Sequence, residues 1–155
     1  MKQPGTRASG TSLHASALVI GETGLLILGE SGAGKSALTL ALLGAARANG
    51  EFARLVGDDR VTLMIRAGRL IAQGHPAVAG FIEARGAGIL PIDHLKAARL
   101  DAVILLEDAP ESLPTPQDLV FALDGIELPI LTLKKDADLS GKVHLVRQWL
   151  SLRSR

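Results

Sequence analysis

Gly29-Glu30-Ser31-Gly32-Ala33-Gly34-Lys35-Ser36 matches the pattern G-x-x-x-x-G-K-[ST] at every fixed position. The apolar residues 25–28 before it predict a buried strand, and residues 36–43 after it predict a helix. The glycines at positions 29, 32 and 34 let successive backbone N–H groups turn inward and form a concave nest for an anion. The segment therefore predicts a nucleotide-phosphate site. The alternative interpretation is a glycine-rich turn before an ordinary helix.

Two side chains of this segment carry the expected chemistry. Lys35 would reach the β- and γ-phosphates of a nucleotide, and the Ser36 hydroxyl would ligate a magnesium ion. The helix that follows would point the positive end of its dipole at the same place. The sequence thus predicts a phosphate-binding loop that works with Mg²⁺.

Composition excludes several classes of function. The chain has 155 residues, of which 47% are hydrophobic and 21% charged, so one globular domain with one core is expected. A net charge of +1 and an aromatic content of 3% argue against nucleic acid and anionic membrane as partners. The absence of cysteine excludes disulfides and thiolate chemistry. No apolar run is long enough to span a membrane, no signal peptide is evident, and we expect a cytoplasmic protein.

The chain divides into a polar tail, residues 1–11, and a single P-loop domain, residues 12–155. Residues 12–20 and 25–28 flank the turn Gly21-Glu22-Thr23-Gly24 and predict a β-hairpin that leads into the loop. Further along the chain, strands are predicted at 52–56, 100–106 and 130–133, and a hairpin at 61–72. Residues 81–90 predict a strand, a tight loop and a short element, and residues 110–117 predict a loop. The predicted helical segments are the helix that ends near Gly50, one or two turns at 92–99 and an amphipathic helix at 138–152. Residues 119–123 are left unassigned. Together these elements predict an α/β fold with a central mixed sheet, hairpin additions and flanking helices.

Two acidic pairs could serve the phosphate loop, because each follows a predicted strand. They are Asp58-Asp59 and Glu107-Asp108, and spacing alone does not separate them. In extended backbone, neighbouring side chains point to opposite faces, so one of Asp58 and Asp59 could face a metal and the other an acceptor. A carboxylate within reach of a hydroxyl can take its proton during phosphoryl transfer. The alternative for this pair is a solvated turn.

With these residues in hand, the chain resembles the catalytic domain of HPr kinase/phosphorylase, in a short form without a separate N-terminal domain. Four segments carry the resemblance in the same order as in that family: Leu13-His14-Ala15, GESGAGKS at 29–36, RLVGDDRV at 54–61 and IEARGAGI at 82–89. The resemblance implies a P-loop domain of the phosphoenolpyruvate-carboxykinase-like kind. It also implies ATP as phosphoryl donor, a seryl hydroxyl of HPr as acceptor and a homo-oligomeric assembly.

The resemblance also implies roles for individual residues. His14, Lys35, Asp58, Asp59 and Arg85 match catalytic positions, with Asp59 as general base in the forward reaction and general acid in the reverse. The whole loop would bind ATP, through Gly29, Glu30, Ser31, Gly32, Ala33, Gly34, Lys35 and Ser36. The magnesium ligands would be Ser36 and Glu83. The alternatives are an ordinary strand histidine at position 14 and a structural ion pair between Glu83 and Arg85.

The sequence departs from the family after the last predicted strand. The long form carries an arginine-rich segment there that is tied to phosphorolysis, whereas this chain continues Lys134-Lys135-Asp136-Ala137-Asp138. The kinase direction is therefore better supported than the phosphorylase direction. Two other functions stay open: another small P-loop phosphotransferase that uses Glu107-Asp108, and a nucleotide-sensing module without catalysis.

Overall fold

A six-stranded sheet carries the phosphate loop in the computed structural model, which describes residues 10–108 and 119–153. The strands are β1 (Thr11–Leu13), β2 (Ala15–Ile20), β3 (Thr23–Gly29), β4 (Ala53–Gly57), β5 (Val61–Arg66), β6 (Arg69–Gly74), β7 (Phe81–Ala84), β8 (Gly88–Pro91), β9 (Ala97–Arg99), β10 (Ala102–Glu107), β11 (Val120–Leu123) and β12 (Ile126–Lys134). The helices are α1 (Lys35–Ala48) and α2 (Leu139–Arg153), and residues Pro76–Val78 form a 3-10 turn.

The strand order of the main sheet is β11-β12-β10-β3-β2-β4. Strand β10 is parallel to β3 and to β12, while β2 is antiparallel to both β3 and β4. Strand β4 therefore runs in the same direction as β3. The carboxyl ends of β3, β4, β10 and β12 consequently meet at one edge of the sheet, which is the edge where α/β proteins bind their ligands.

Both faces of this sheet are covered, which explains why its central strands are apolar throughout. Leu25 and Ile27 pack toward α1, whereas Leu26 between them packs toward β5 and β6. A four-stranded antiparallel sheet, in the order β1-β5-β6-β9, forms that second cover. The separate hairpin β7–β8 places Ile82 in the cluster around α1. The mixed sheet, the hairpins and the flanking helices confirm the predicted α/β P-loop fold.

Two local predictions need correction. The residues expected to form helical turns, 92–99, are extended, because Leu55 binds the carbonyl of Asp93 and β9 pairs with β6. Thr11, placed in the polar tail, belongs to β1, which pairs with β5. Residues 119–123, which the sequence left unassigned, include β11. The rest of the tail and the loop predicted at 110–117 lie outside the described residues.

Helix α2 begins after a capping carboxylate. Asp138 accepts hydrogen bonds from the Gly141 N–H and the Ser140 hydroxyl, each at 2.9 Å. The Gly141 bond first, and then the Ser140 bond, hold the pKa of Asp138 below its ordinary value. Because the folded pKa is depressed, the stabilisation is present above the unfolded pKa and is lost as pH falls through the folded value.

We therefore expect Asp138→Asn to change the acid limb of the stability curve. Asparagine can still cap the helix but does not ionise, so the stability difference from wild type should shrink as pH falls below about 4. Thermal unfolding between neutral and acidic pH measures this, with the exposed Asp136→Asn as control. A wild-type-to-variant difference that stays constant with pH contradicts the prediction.

Candidate active site

The shared edge of the main sheet gathers most of the predicted site residues. The phosphate loop follows β3, the pair Asp58-Asp59 follows β4, and His14 directly precedes β2, whose first residues lie at the same edge. The loop, the two aspartates and the histidine are far apart in the chain. The sheet topology alone brings them together.

The phosphate loop has the backbone that an anion nest requires. Gly32 and Gly34 have φ values of 84° and 98°, in the left-handed region that favours glycine, and α1 begins directly afterwards at Lys35. Lys35 is only 6% exposed, and its ammonium donates to the carbonyl oxygens of Gly29 at 2.8 Å and Glu30 at 3.1 Å. An ammonium has three N–H donors, so one remains for a phosphate oxygen.

Asp58 is the carboxylate beside the loop. Its Oδ1 accepts hydrogen bonds from the Ser36 hydroxyl at 2.6 Å and the Ser16 hydroxyl at 2.9 Å, and its Oδ2 accepts one from the Glu83 N–H at 3.2 Å. It is 8% exposed. These bonds fix the carboxylate and hold β2, β4, β7 and α1 around it. They also place a serine hydroxyl and a carboxylate, both hard oxygen donors, side by side.

This pair of donors fits a magnesium ion. Mg²⁺ is usually held by one or two protein carboxylates and completes its shell with water and substrate phosphates. Within residues 10–108 and 119–153, no group of three or more His, Cys, Asp or Glu side chains forms a metal cage. The donor set therefore fits a metal that arrives with a nucleotide.

Asp59 lies in different surroundings from its neighbour. Its side chain is 72% exposed, and its Oδ1 lies 3.9 Å from Nδ1 of His14, which is 78% exposed. The two aspartates point apart because the chain bends after β4 and Asp59 adopts a φ of 65°. The predicted cause, strand alternation, is therefore wrong at Asp59. A backbone bond from the Asp59 N–H to the Ser16 hydroxyl, at 3.4 Å, helps to hold this bend.

The hairpin β7–β8 brings Glu83 and Arg85 to the site to different degrees. The Glu83 backbone binds Asp58, but its side chain lies on the face of β7 opposite the buried Ile82 and is exposed. Arg85 is exposed in the hairpin turn, and its side chain has no hydrogen bond or ion pair with the part of the chain that the structure describes. The alternative ion pair between Glu83 and Arg85 does not form. Their predicted roles, Glu83 as a metal ligand and Arg85 as a catalytic residue, remain predictions.

The competing acidic pair lies on the other side of the loop. Leu106 pairs with Gly29, so Glu107 and Asp108 follow at the same sheet edge. Asp108 forms an ion pair with Lys135 at 3.5 Å and is 82% exposed. Ser36 hydrogen-bonds to Asp58 and not to this pair. The geometry therefore favours Asp58 as the carboxylate that works with the loop.

Sequence reasoning missed two polar residues near the loop. Ser16 is fully buried in an otherwise apolar strand and donates a hydrogen bond to Asp58. The sequence feature that could have indicated it is a single hydroxyl residue among apolar ones, two residues after His14. Lys142 is a 6% exposed lysine on α2, and the structure places its ammonium near Gly34. No local pattern distinguishes this lysine from a solvated one, because its burial results from tertiary packing.

The fold and this edge define a P-loop α/β domain with a site for nucleotide phosphates. The family model described as the HPr Serine kinase C-terminal domain matches residues 6–100. The chain therefore belongs to that family, which confirms the predicted resemblance.

Individual relatives support this family assignment. The chain is 42% identical over 79 residues to HPr kinase/phosphorylase of Mycoplasma mycoides, a match that spans 51% of this chain and 23% of the relative. It is 33% identical over 135 residues to HPr kinase/phosphorylase of Thermoanaerobacter pseudethanolicus, spanning 79% of this chain and 42% of the relative. The chain thus spans less than half the length of these relatives.

A solved structure supports the fold over nearly the whole chain. The Hpr(Ser) kinase/phosphatase from Coxiella burnetii superimposes with a TM-score of 0.73 at 27% identity, covering 94% of this chain and 99% of the solved chain. The similarity therefore extends past residue 100, where the match to the family model ends, into the part that contains β10, β12 and α2.

Proposed function

We propose that this chain is a serine kinase that transfers the γ-phosphoryl group of ATP to a seryl hydroxyl of HPr. The observation that carries the proposal is the split pair at the sheet edge: Asp58 is held against Ser36 of the phosphate loop, while Asp59 faces solvent beside His14. One carboxylate is placed for the nucleotide and its metal, and the other for an incoming hydroxyl. The relatives that share this domain are named for the same substrate.

In the proposed reaction, the donor binds with its phosphates against the loop N–H groups and the Lys35 ammonium. Mg²⁺, held by Ser36 and Asp58 with Glu83 as a further ligand, would neutralise charge on the phosphate oxygens. Asp59 takes the proton of the seryl hydroxyl while the seryl oxygen forms a bond to the γ-phosphorus. The bond to the β–γ bridging oxygen breaks, and ADP leaves. His14 lies beside Asp59 and would orient the carboxylate. Arg85 would approach the transferred group.

The reverse direction uses the same groups. Inorganic phosphate would attack phosphoserine, giving pyrophosphate, while the serine oxygen regains a proton from Asp59. We include this phosphorylase activity because the relatives are named for both directions. We further propose that the predicted domain of residues 12–155, extended by Thr11 of β1, forms one catalytic domain. We also propose that the protein is a cytoplasmic homo-oligomer without a nucleic-acid or membrane partner. In the described part of the chain, no helix has the length and apolarity to cross a membrane.

The direct test is release of ADP from ATP and Mg²⁺ when HPr is added. We expect turnover with HPr and none with HPr in which the acceptor serine is replaced by alanine. Adding phosphate to the purified product should then yield pyrophosphate if the phosphorylase direction operates. ATP binding without any HPr-dependent turnover contradicts the kinase and favours a nucleotide-sensing module.

A second prediction separates the two acidic pairs. We expect Asp58→Asn to raise the Mg²⁺ concentration needed for half-maximal nucleotide binding by about 10- to 100-fold, because the neutral amide supports the metal poorly. The matched control is Asp108→Asn, at the same sheet edge but exposed and paired with Lys135. Titrations of Mg²⁺ at fixed nucleotide measure both. A large rise in the required Mg²⁺ concentration for Asp108→Asn, with none for Asp58→Asn, would favour the alternative of another small P-loop phosphotransferase that uses Glu107-Asp108.

A further inference from the structure

Lys142 has a buried ammonium with a single hydrogen-bond acceptor among the described residues. It lies on α2, is 6% exposed, and donates one hydrogen bond, to the carbonyl of Lys135 at 2.8 Å. Within the described ranges, no carboxylate lies within ion-pair distance of its Nζ. Two of its three N–H donors are therefore unused by these residues. Burying an ammonium is costly unless a counter-charge or several acceptors surround it, so an anionic ligand would be stabilised at this position.

The ammonium of Lys142 lies beside Gly34 of the phosphate loop. A Cβ built on Gly34 would be 3.9 Å from Lys142 Nζ. Gly34 precedes the first residue of α1, so its neighbourhood is the positive end of that helix. Val146, one turn further along α2, is fully buried in the cluster around α1 and anchors the helix there. The packing of α2 therefore fixes the position of Lys142, which is not a flexible side chain at the surface.

The loop already contains one such lysine. Lys35, also 6% exposed, is bound only to backbone carbonyls within the described part of the chain. A second buried ammonium beside the same nest adds positive charge, which the exposed Asp138 that caps the same helix offsets only through space, without an ion pair. A polyphosphate bound in the loop would add negative charge there and accept the free N–H groups of Lys142.

We propose that Lys142 is a second lysine of the phosphate site and contacts the polyphosphate chain of the bound ligand. The inference rests on the proposed function, because it requires that the loop holds a nucleoside triphosphate or pyrophosphate. It assigns α2, a helix outside the matched family segment of residues 6–100, a direct part in donor binding.

The test compares charge removal at two lysines of the same chain segment. Lys142→Gln keeps a donor for the Lys135 carbonyl but removes the charge, and Lys142→Met removes both. Isothermal titration with ATP-Mg²⁺ and with Mg²⁺-pyrophosphate should show about tenfold weaker binding of both ligands in both variants. The control Lys134→Met removes an exposed lysine at the end of β12 and should change affinity by less than about threefold.

Stability of the free protein distinguishes ligand binding from a structural role. Removing a buried unpaired charge should leave the unfolding midpoint of the free protein equal or higher, while the shift of that midpoint by ATP becomes smaller. Unchanged affinity in Lys142→Gln and Lys142→Met overturns the inference, even if wild type phosphorylates HPr. By contrast, a wild type that binds ATP but never phosphorylates HPr contradicts the proposed kinase and leaves this binding comparison decisive for Lys142.

Discussion

Replacing Asp59 with asparagine is expected to slow phosphoryl transfer from ATP to HPr by about 10²- to 10⁴-fold, which is the usual contribution of a positioned general base. Asparagine has nearly the same shape and tolerates the left-handed backbone of this position, where φ is 65°. The fold and the phosphate loop should therefore stay intact. Nucleotide affinity should remain near the wild-type value, because Asp59 is mostly exposed and does not contact the loop.

Asp124 provides a matched control for this substitution. It is also an aspartate with positive φ, 49°, but it lies in the β11–β12 turn at the opposite end of the main sheet. We expect Asp124→Asn to transfer phosphate at the wild-type rate. Single-turnover kinetics with HPr measure both variants. Equal rates for wild type and Asp59→Asn would remove Asp59 from the role of base.

Replacing Lys35 with methionine is expected to lower kcat by about 10²- to 10³-fold, the usual effect of removing one preorganised charge from a transition state. The buried ammonium of Lys35 is fixed by two carbonyls and has one donor left for the transferring phosphate. Because charge on the phosphoryl oxygens changes during transfer, the loss should appear in kcat as well as in ATP affinity. Lys35→Arg should not restore activity, since the larger planar guanidinium does not fit a 6% exposed site.

Steady-state kinetics over a range of ATP concentrations separate these effects. The control is Lys96→Met, which removes an exposed lysine without a described side-chain partner, next to β9 of the second sheet. A Lys35→Met protein that keeps the wild-type kcat and only binds ATP more weakly would show that Lys35 supplies uniform binding. That result would contradict the proposed transition-state role.

The sequence predicted the parts of this fold whose signals are local. The phosphate loop, the hairpin before it, the strand at β10 and the helix α2 follow from fixed glycines and from apolar periodicity. Residues 92–99 were predicted wrongly as helical, because their extended form depends on pairing with β4 and β6, which lie far away in the chain. Such long-range pairing overrides local preference and leaves no pattern within the segment.

The candidate site shows the same division. The motif pattern identified Ser36, and the family resemblance favoured Asp58 over the other acidic pair. The hydrogen bond between these two residues depends on β3 and β4 running in the same direction in one sheet. The opposite placement of Asp58 and Asp59 was predicted for the wrong reason, because a bend with positive φ and not strand alternation separates them. Ser16 and Lys142 were missed, since only tertiary packing makes a single hydroxyl or ammonium notable.

The most direct test of the proposed kinase is mass spectrometry of HPr after incubation with this protein, ATP and Mg²⁺. We predict one added phosphoryl group, mapped to a single serine, with wild-type protein and with Asp124→Asn, and almost none with Asp59→Asn over the same time. The contradicting result is unmodified HPr in the wild-type reaction, in a sample shown by titration to bind ATP. In that case the site would bind a nucleotide without transferring its phosphate to this acceptor.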